Sequence, residues 1–150
     1  MKYVGNRFKT PRISITSDSL NYSKIAEYTD TKIVINDVPV GVHDLTVRLL
    51  NKDDQDTILD DKGEIIDDLY VVIESLQVDH YDINHKLNSI STYHDNQGTE
   101  IQTNGWLSFP QDYKIWVQVP GWYFLRNLSI LPEDQAKLYF FESYHSKVTI

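Results

Sequence analysis

The run Leu45-Thr46-Val47-Arg48-Leu49-Leu50 leads into Asn51-Lys52-Asp53-Asp54-Gln55-Asp56-Thr57-Ile58-Leu59-Asp60-Asp61-Lys62-Gly63-Glu64-Ile65-Ile66-Asp67-Asp68. Leu69-Tyr70-Val71-Val72-Ile73-Glu74-Ser75-Leu76-Gln77-Val78-Asp79 follows. Two apolar, β-branched runs flank a segment dense in carboxylates. That order predicts two strands joined by an acidic excursion at a sheet edge. Asp60-Asp61-Lys62-Gly63 reads as a tight turn with glycine at the left-handed position. Thr57-Ile58-Leu59 and Ile65-Ile66 would flank it as a small hairpin. The near-continuous apolar character of 69–78 predicts one strong strand buried on both faces over most of its length.

Working outward, Thr31-Lys32-Ile33-Val34-Ile35-Asn36 and Tyr113-Lys114-Ile115-Trp116-Val117-Gln118-Val119 read as further strands. So does the stretch 8–16, with Ile13 and Ile15 on one face and Pro11 marking an edge or bend. Asp18 to Tyr28 reads as a loop or short helix. Trp106 to Phe109 resumes β character, and 122–125 and 128–131 follow as short strand pieces. Pro132-Glu133-Asp134-Gln135 opens a helix, with proline in its first turn and acids at the positive end of its dipole. The fold class is therefore all-β, a β-sandwich of jelly-roll type with a short C-terminal helix. The chain divides into a basic N-terminal arm (1–12), a sandwich (13–131) and a C-terminal helix or tail (132–150).

A chain of 150 residues is long enough to bury a core, and 41% hydrophobic residues argue against global disorder. A net charge of −8 repels phosphate backbones and makes nucleic acid a poor partner. The charge is uneven: Lys2, Arg7, Lys9 and Arg12 stand in the first twelve residues without an acid among them. Such an arm suits an acidic neighbour, another copy of the chain included. Cysteine is absent, which rules out disulfides, thiolate zinc sites and a cysteine nucleophile. Neither a secretory signal nor a run of the ~18 apolar residues of a membrane span stands out, so no membrane partner is expected. The chain reads as cytoplasmic, or as a virion component.

Catalytic signals are absent: there is no G-x-S-x-G elbow and no phosphate-cradling glycine loop, and Gly41, Gly63, Gly98, Gly105 and Gly121 are isolated. No enzyme is expected. His80, His85 and His94 match no metal-ligand spacing. The acid segment has two readings. Calcium takes six to eight oxygens, and the aspartates lie close enough in sequence to converge, although Ile58 breaks the EF-hand pattern around Gly63. The alternative, which we favour, is a solvated loop that protects a sheet edge. Calcium is thus the one cofactor suggested. The aromatics Trp106, Tyr113, Trp122 and Tyr123, with Trp116, form a second candidate, either as sugar-stacking faces or as core. Core is expected for at least one Trp.

Gly41 to Asn51, the acid segment and Asp67 to Asp79 together resemble small jelly-roll carbohydrate-binding modules of the calcium-dependent, xylan-binding kind. Those carry a V-R-F-x-N strand, an acidic loop and a D-R-N-L-Y-V-D-x-I-x-V-D-like strand. The resemblance spans about a quarter of the chain, and Asp68 stands where the modules carry a basic residue. It implies that calcium and sugar hydroxyls would meet at Asp53, Asp54, Asp60, Asp67 and Asp68. In style the chain also resembles small β-rich proteins of tailed-phage virions. That likeness implies a structural subunit, a capsid decoration or tail component, in a homo-oligomer or virion assembly. Its contacts with other subunits would run through Lys2, Arg7, Lys9, Arg12, Leu138 and Phe141. A calcium-dependent glycan-binding module is the alternative.

Overall fold

The computed structural model describes residues 1–5, 9–27, 32–121 and 146–150, without the side chains of residues 3 and 4. In chain order the strands are β1 (Lys2–Val4), β2 (Arg12–Ser17), β3 (Tyr22–Glu27), β4 (Val34–Ile35), β5 (Gly41–Leu49), β6 (Ile58–Leu59), β7 (Ile65–Asp67), β8 (Tyr70–Val72), β9 (Gln77–Val78), β10 (Tyr81–Asp82), β11 (Ser91–Thr92), β12 (Trp106–Leu107), β13 (Asp112–Val119) and β14 (Val148–Thr149). One helix, α1 (Leu87–Ile90), accompanies them among the described residues. The fold is all-β and sandwich-like. The expected C-terminal helix at 132 lies outside the described residues, as do the strand pieces at 122–131.

The largest sheet is antiparallel, in the order β11-β13-β5-β2-β3. Its two long strands show why it forms. In β13 the residues Tyr113, Ile115, Val117 and Val119 are buried, while Lys114 and Trp116 between them are exposed. In β5 the inward set is His43, Leu45, Val47 and Leu49. This period of two gives the sheet one apolar face and one polar face. Two smaller sheets, β1-β8-β12 and β10-β9-β14-β4, contribute Val71, Leu107, Val78, Ile35 and Val148 to the same core cluster. Fully burying one such aliphatic side chain contributes about 1.5–3 kcal/mol.

Four expectations are corrected. The run 69–78 is two strands in different sheets, because its buried residues change parity: Leu69, Val71 and Ile73 are buried, then Leu76 and Val78. The chain leaves one sheet through exposed Glu74 and enters the next. The described part of the stretch 18–28, residues 18–27, is a turn followed by edge strand β3, whose alternation leaves Ile25 outward and Ala26 inward. The strand expected over Thr31–Asn36 is only Val34–Ile35. Finally, neither terminus is an appendage where it is described. β1 pairs with β8 and Met1 joins the core, while β14 lies between β9 and β4 with Ile150 buried.

Asp79 fastens that C-terminal strand. It sits at φ +57° and its carboxylate accepts the N–H groups of Gly121 (2.8 Å) and Lys147 (3.2 Å). Gly121 is required there, since a Cβ would come within 2.5 Å of the Val78 carbonyl oxygen.

Candidate functional site

The hairpin in the acid segment forms as expected. The Gly63 N–H donates to Asp60 O at 3.0 Å, and Gly63 adopts φ +84°. Asp60 turns its carboxylate back on this turn and accepts the N–H groups of Lys62 and Glu64. Among the described residues β6 and β7 pair only with each other, and Ile66 is an extra, bulged residue opposite the Ile58–Leu59 step. Their apolar side chains are exposed: Leu59 at 53%, Ile65 at 63% and Ile66 at 65%.

The remaining aspartates face lysines. Lys52 is almost fully buried and donates to Asp68, to Thr57 Oγ1 (2.9 Å) and to the Leu69 carbonyl (3.1 Å). Asp68 also accepts from the Thr57 hydroxyl and the Leu69 N–H. Lys9 spans more than forty residues to pair with Asp53 and with buried Asp56 (2.9 Å). Hydrogen bonds to Asp53 and then Asp56 raise the Lys9 pKa. Asp53 and Asp56 also form a reciprocal capping box over the turn Asp54–Asp56. Lys9, expected to reach another subunit, is thus engaged within its own chain. Asp53, Asp54, Asp60, Asp67 and Asp68 do not converge. Among the described residues no group of three or more His, Asp or Glu side chains is placed to hold a metal ion.

The described members of the aromatic set, Trp106, Tyr113 and Trp116, share no exposed face. Tyr113, expected at a glycan surface, is core: the parity of β13 turns it inward. Its hydroxyl lies 2.9 Å from Ser91 Oγ and accepts the Gly105 N–H. Trp106 is 45% exposed and stacks on Tyr70, with centroids 4.4 Å apart, on the sheet β1-β8-β12. Trp116 is 42% exposed on the five-stranded sheet. Both described Trp residues are exposed, and the third, Trp122, on which the expectation of a core Trp now rests, lies outside the described residues. Trp122, Tyr123, Arg7, Leu138 and Phe141 lie outside the described residues. Lys2 is exposed on β1, and exposed Arg12 faces Glu27 at 3.6 Å.

A depression of about 570 Å³ opens on the polar face of the five-stranded sheet. Its floor is a cross-strand register in which Arg48 faces Asp112 and Lys114 faces Thr92. One wall is the turn Asp95–Gly98, held by Asp95, which accepts the N–H groups of Gln97 and Thr99. Tyr93 secures the base of that wall. It donates to the Phe109 carbonyl and accepts the Phe109 N–H, both at 2.8 Å, and burial pushes its pKa up to about 12. A smaller cleft of about 230 Å³ separates Lys52, Asp53 and Asp54 from Ser108-Phe109-Pro110. Sequence reasoning missed the larger depression. The usable signals were the outward parity of Lys114 and Trp116 and the turn residues Asn96-Gln97-Gly98. The joining of Arg48 on β5 to Thr92 on β11 through β13 is tertiary.

The fold and these surfaces define a β-sandwich-like domain with polar clefts and an exposed apolar hairpin. No protein-family model, curated protein or solved structure matches the chain. No helix among the described residues is long and apolar enough to cross a membrane.

Proposed function

We propose that this chain is a non-enzymatic structural or accessory subunit of a virion, a capsid decoration or tail component. The observation that carries the reading is the β6–β7 hairpin. Single exposed apolar residues are ordinary on soluble proteins, but three on one short hairpin that, among the described residues, joins no larger sheet form a contact element. Leu59 and Ile65 are cross-strand partners, so they present one apolar surface. A neighbouring subunit would cover them. From the sequence alone, Leu138 and Phe141, outside the described residues, are assigned to the same assembly contacts. The N-terminal segment contributes Lys2 and Arg7, whereas Lys9 stays with its own acid segment.

Sedimentation of the intact protein, alone and with purified particles from its source, tests this reading. The wild type should self-associate or sediment with the particles. A Leu59→Ser, Ile65→Ser, Ile66→Ser variant should do neither while melting within a few degrees of the wild type. A wild type that stays monomeric and ignores the particles would overturn the proposal.

A further inference from the structure

We infer that the depression over β5, β13 and β11 is a saccharide-binding cleft that works without a metal ion. The fold commits the polar groups of one region and leaves those of the other uncommitted. In the acid segment most side chains with hydrogen-bonding capacity are taken up by Lys9, Lys52 and local turns. In the depression, the side chains of Thr92, His94, Gln97, Gln111 and Lys114 make no hydrogen bond or ion pair within the described residues. Arg48 and Asp112 face each other at 3.7 Å, which is beyond hydrogen-bonding distance, so both keep free capacity toward a third group.

The chemistry of this lining selects the ligand. Three amides, a hydroxyl, an imidazole, two carboxylates and two cations offer donors and acceptors at close quarters. Sugar hydroxyls both donate and accept, so they match such a mixture. An apolar ligand does not, because the lining contains no aliphatic side chain and its one ring is the polar imidazole of His94. A nucleic acid strand is repelled by a body of net charge −8.

The apolar component of a sugar site stands beside the depression. Trp116 is the next outward residue after Lys114 on β13, about 7 Å along the strand. Its exposed indole can take the C–H face of a pyranose while the neighbouring unit reaches the Arg48–Lys114 floor. The opening of about 570 Å³ is within the usual range of roughly 300–1,000 Å³ for ligand sites. This cleft shares no residue with the β6–β7 hairpin, so it stands or falls separately from the assembly reading.

The test is an array of neutral and acidic oligosaccharides probed with the full chain in chelator, followed by calorimetry on the best ligand. Binding should survive the chelator. Trp116→Ala and Lys114→Ala should each weaken it roughly tenfold or more, equivalent to about 1.4 kcal/mol. Both variants should keep the wild-type melting temperature, since both side chains are exposed. No oligosaccharide bound anywhere on the array would overturn the inference. So would binding that both substitutions leave intact, or binding that the chelator abolishes.

Discussion

Lys52 in the acid segment and Lys114 in the cleft are the same residue type put to opposite uses. Lys52 is almost fully buried, and Asp68, Thr57 and the Leu69 carbonyl all accept from it. Lys114 stands on the sheet surface between Thr46 and Thr92, and its ammonium group bonds to neither. The acid segment holds the chain's densest charge, yet it spends that charge on itself. The cleft is less charged and keeps its hydrogen-bonding capacity for something else. Binding potential therefore follows the polar groups a fold leaves unpartnered, and charge density alone misplaces it.

The largest test of this contrast replaces each lysine by methionine. Lys52→Met strands the Asp68 carboxylate in a nearly buried place and should cost about 3–5 kcal/mol. At roughly 2–4 °C per kcal/mol for a chain of this size, the melting point should fall by some ~6–20 °C. Lys114→Met should stay within about 0.5 kcal/mol, as surface changes do. Adding Asp68→Leu to Lys52→Met should recover much of the loss, because both charges are then gone. Equal losses from the two single variants would erase the distinction.

The next effect is alkaline, and both regions contribute to it. Tyr93 ionises at about 12 in the fold against an ordinary 10.0, because burial opposes its charged form. The unfolded chain therefore loses this proton first. Stability is complete below about pH 10 and falls as pH climbs toward 12, by about 2–3 kcal/mol. Burial shifts Tyr113 in the same direction. Lys9 is raised too, chiefly by its hydrogen bond to Asp53, so its contribution holds below its ordinary 10.5 and is lost as pH passes its folded value. Urea titrations from pH 8 to 12 should show the decline. Tyr93→Phe should flatten the part belonging to the cleft wall, at the price of the two Phe109 hydrogen bonds. Lys9→Met should flatten the part belonging to the acid segment. A stability that stays level to pH 12 would remove both anchors from the account.

How far all this was legible in the sequence differs between the same two regions. Local patterns carried β2, β13, the Asp60–Gly63 turn and its hairpin, since alternation and turn chemistry act between near neighbours. The end of β8 at Val72 was also written locally, in a parity change just after Ile73 that a continuous apolar run concealed. What could not be read was partnership across the chain. Lys9 meets Asp53 and Asp56 from more than forty residues away, and Arg48, Thr92 and Lys114 meet only because β13 lies between β5 and β11. The aspartates looked like a calcium loop because their lysine partners were distant in sequence, or, for Lys52, inconspicuous beside them. Tyr113 looked like a binding aromatic because composition does not tell which face of a strand is inward.

The smallest expected effect follows from that last point. The lysine ammonium groups at Asp53, Asp56 and Asp68 stand where a cation would have to go, and Asp60 is turned onto its own hairpin. Calcium would have to displace Lys9 or Lys52 and also draw the carboxylates together, losing the capping box at Asp53 and Asp56 on the way. A ligand stabilises a fold only through affinity for the folded state, by RT ln(1 + [L]/Kd), so a site that must first be dismantled yields little. Millimolar calcium, compared with chelator, should shift the melting temperature by less than about 1 °C, a small fraction of the 2–4 °C that each kcal/mol gives. A rise of several degrees that Asp53→Asn removes would mean that the lysine pairs give way to a metal. The acid segment would then be the open site, and the contrast with the cleft would reverse.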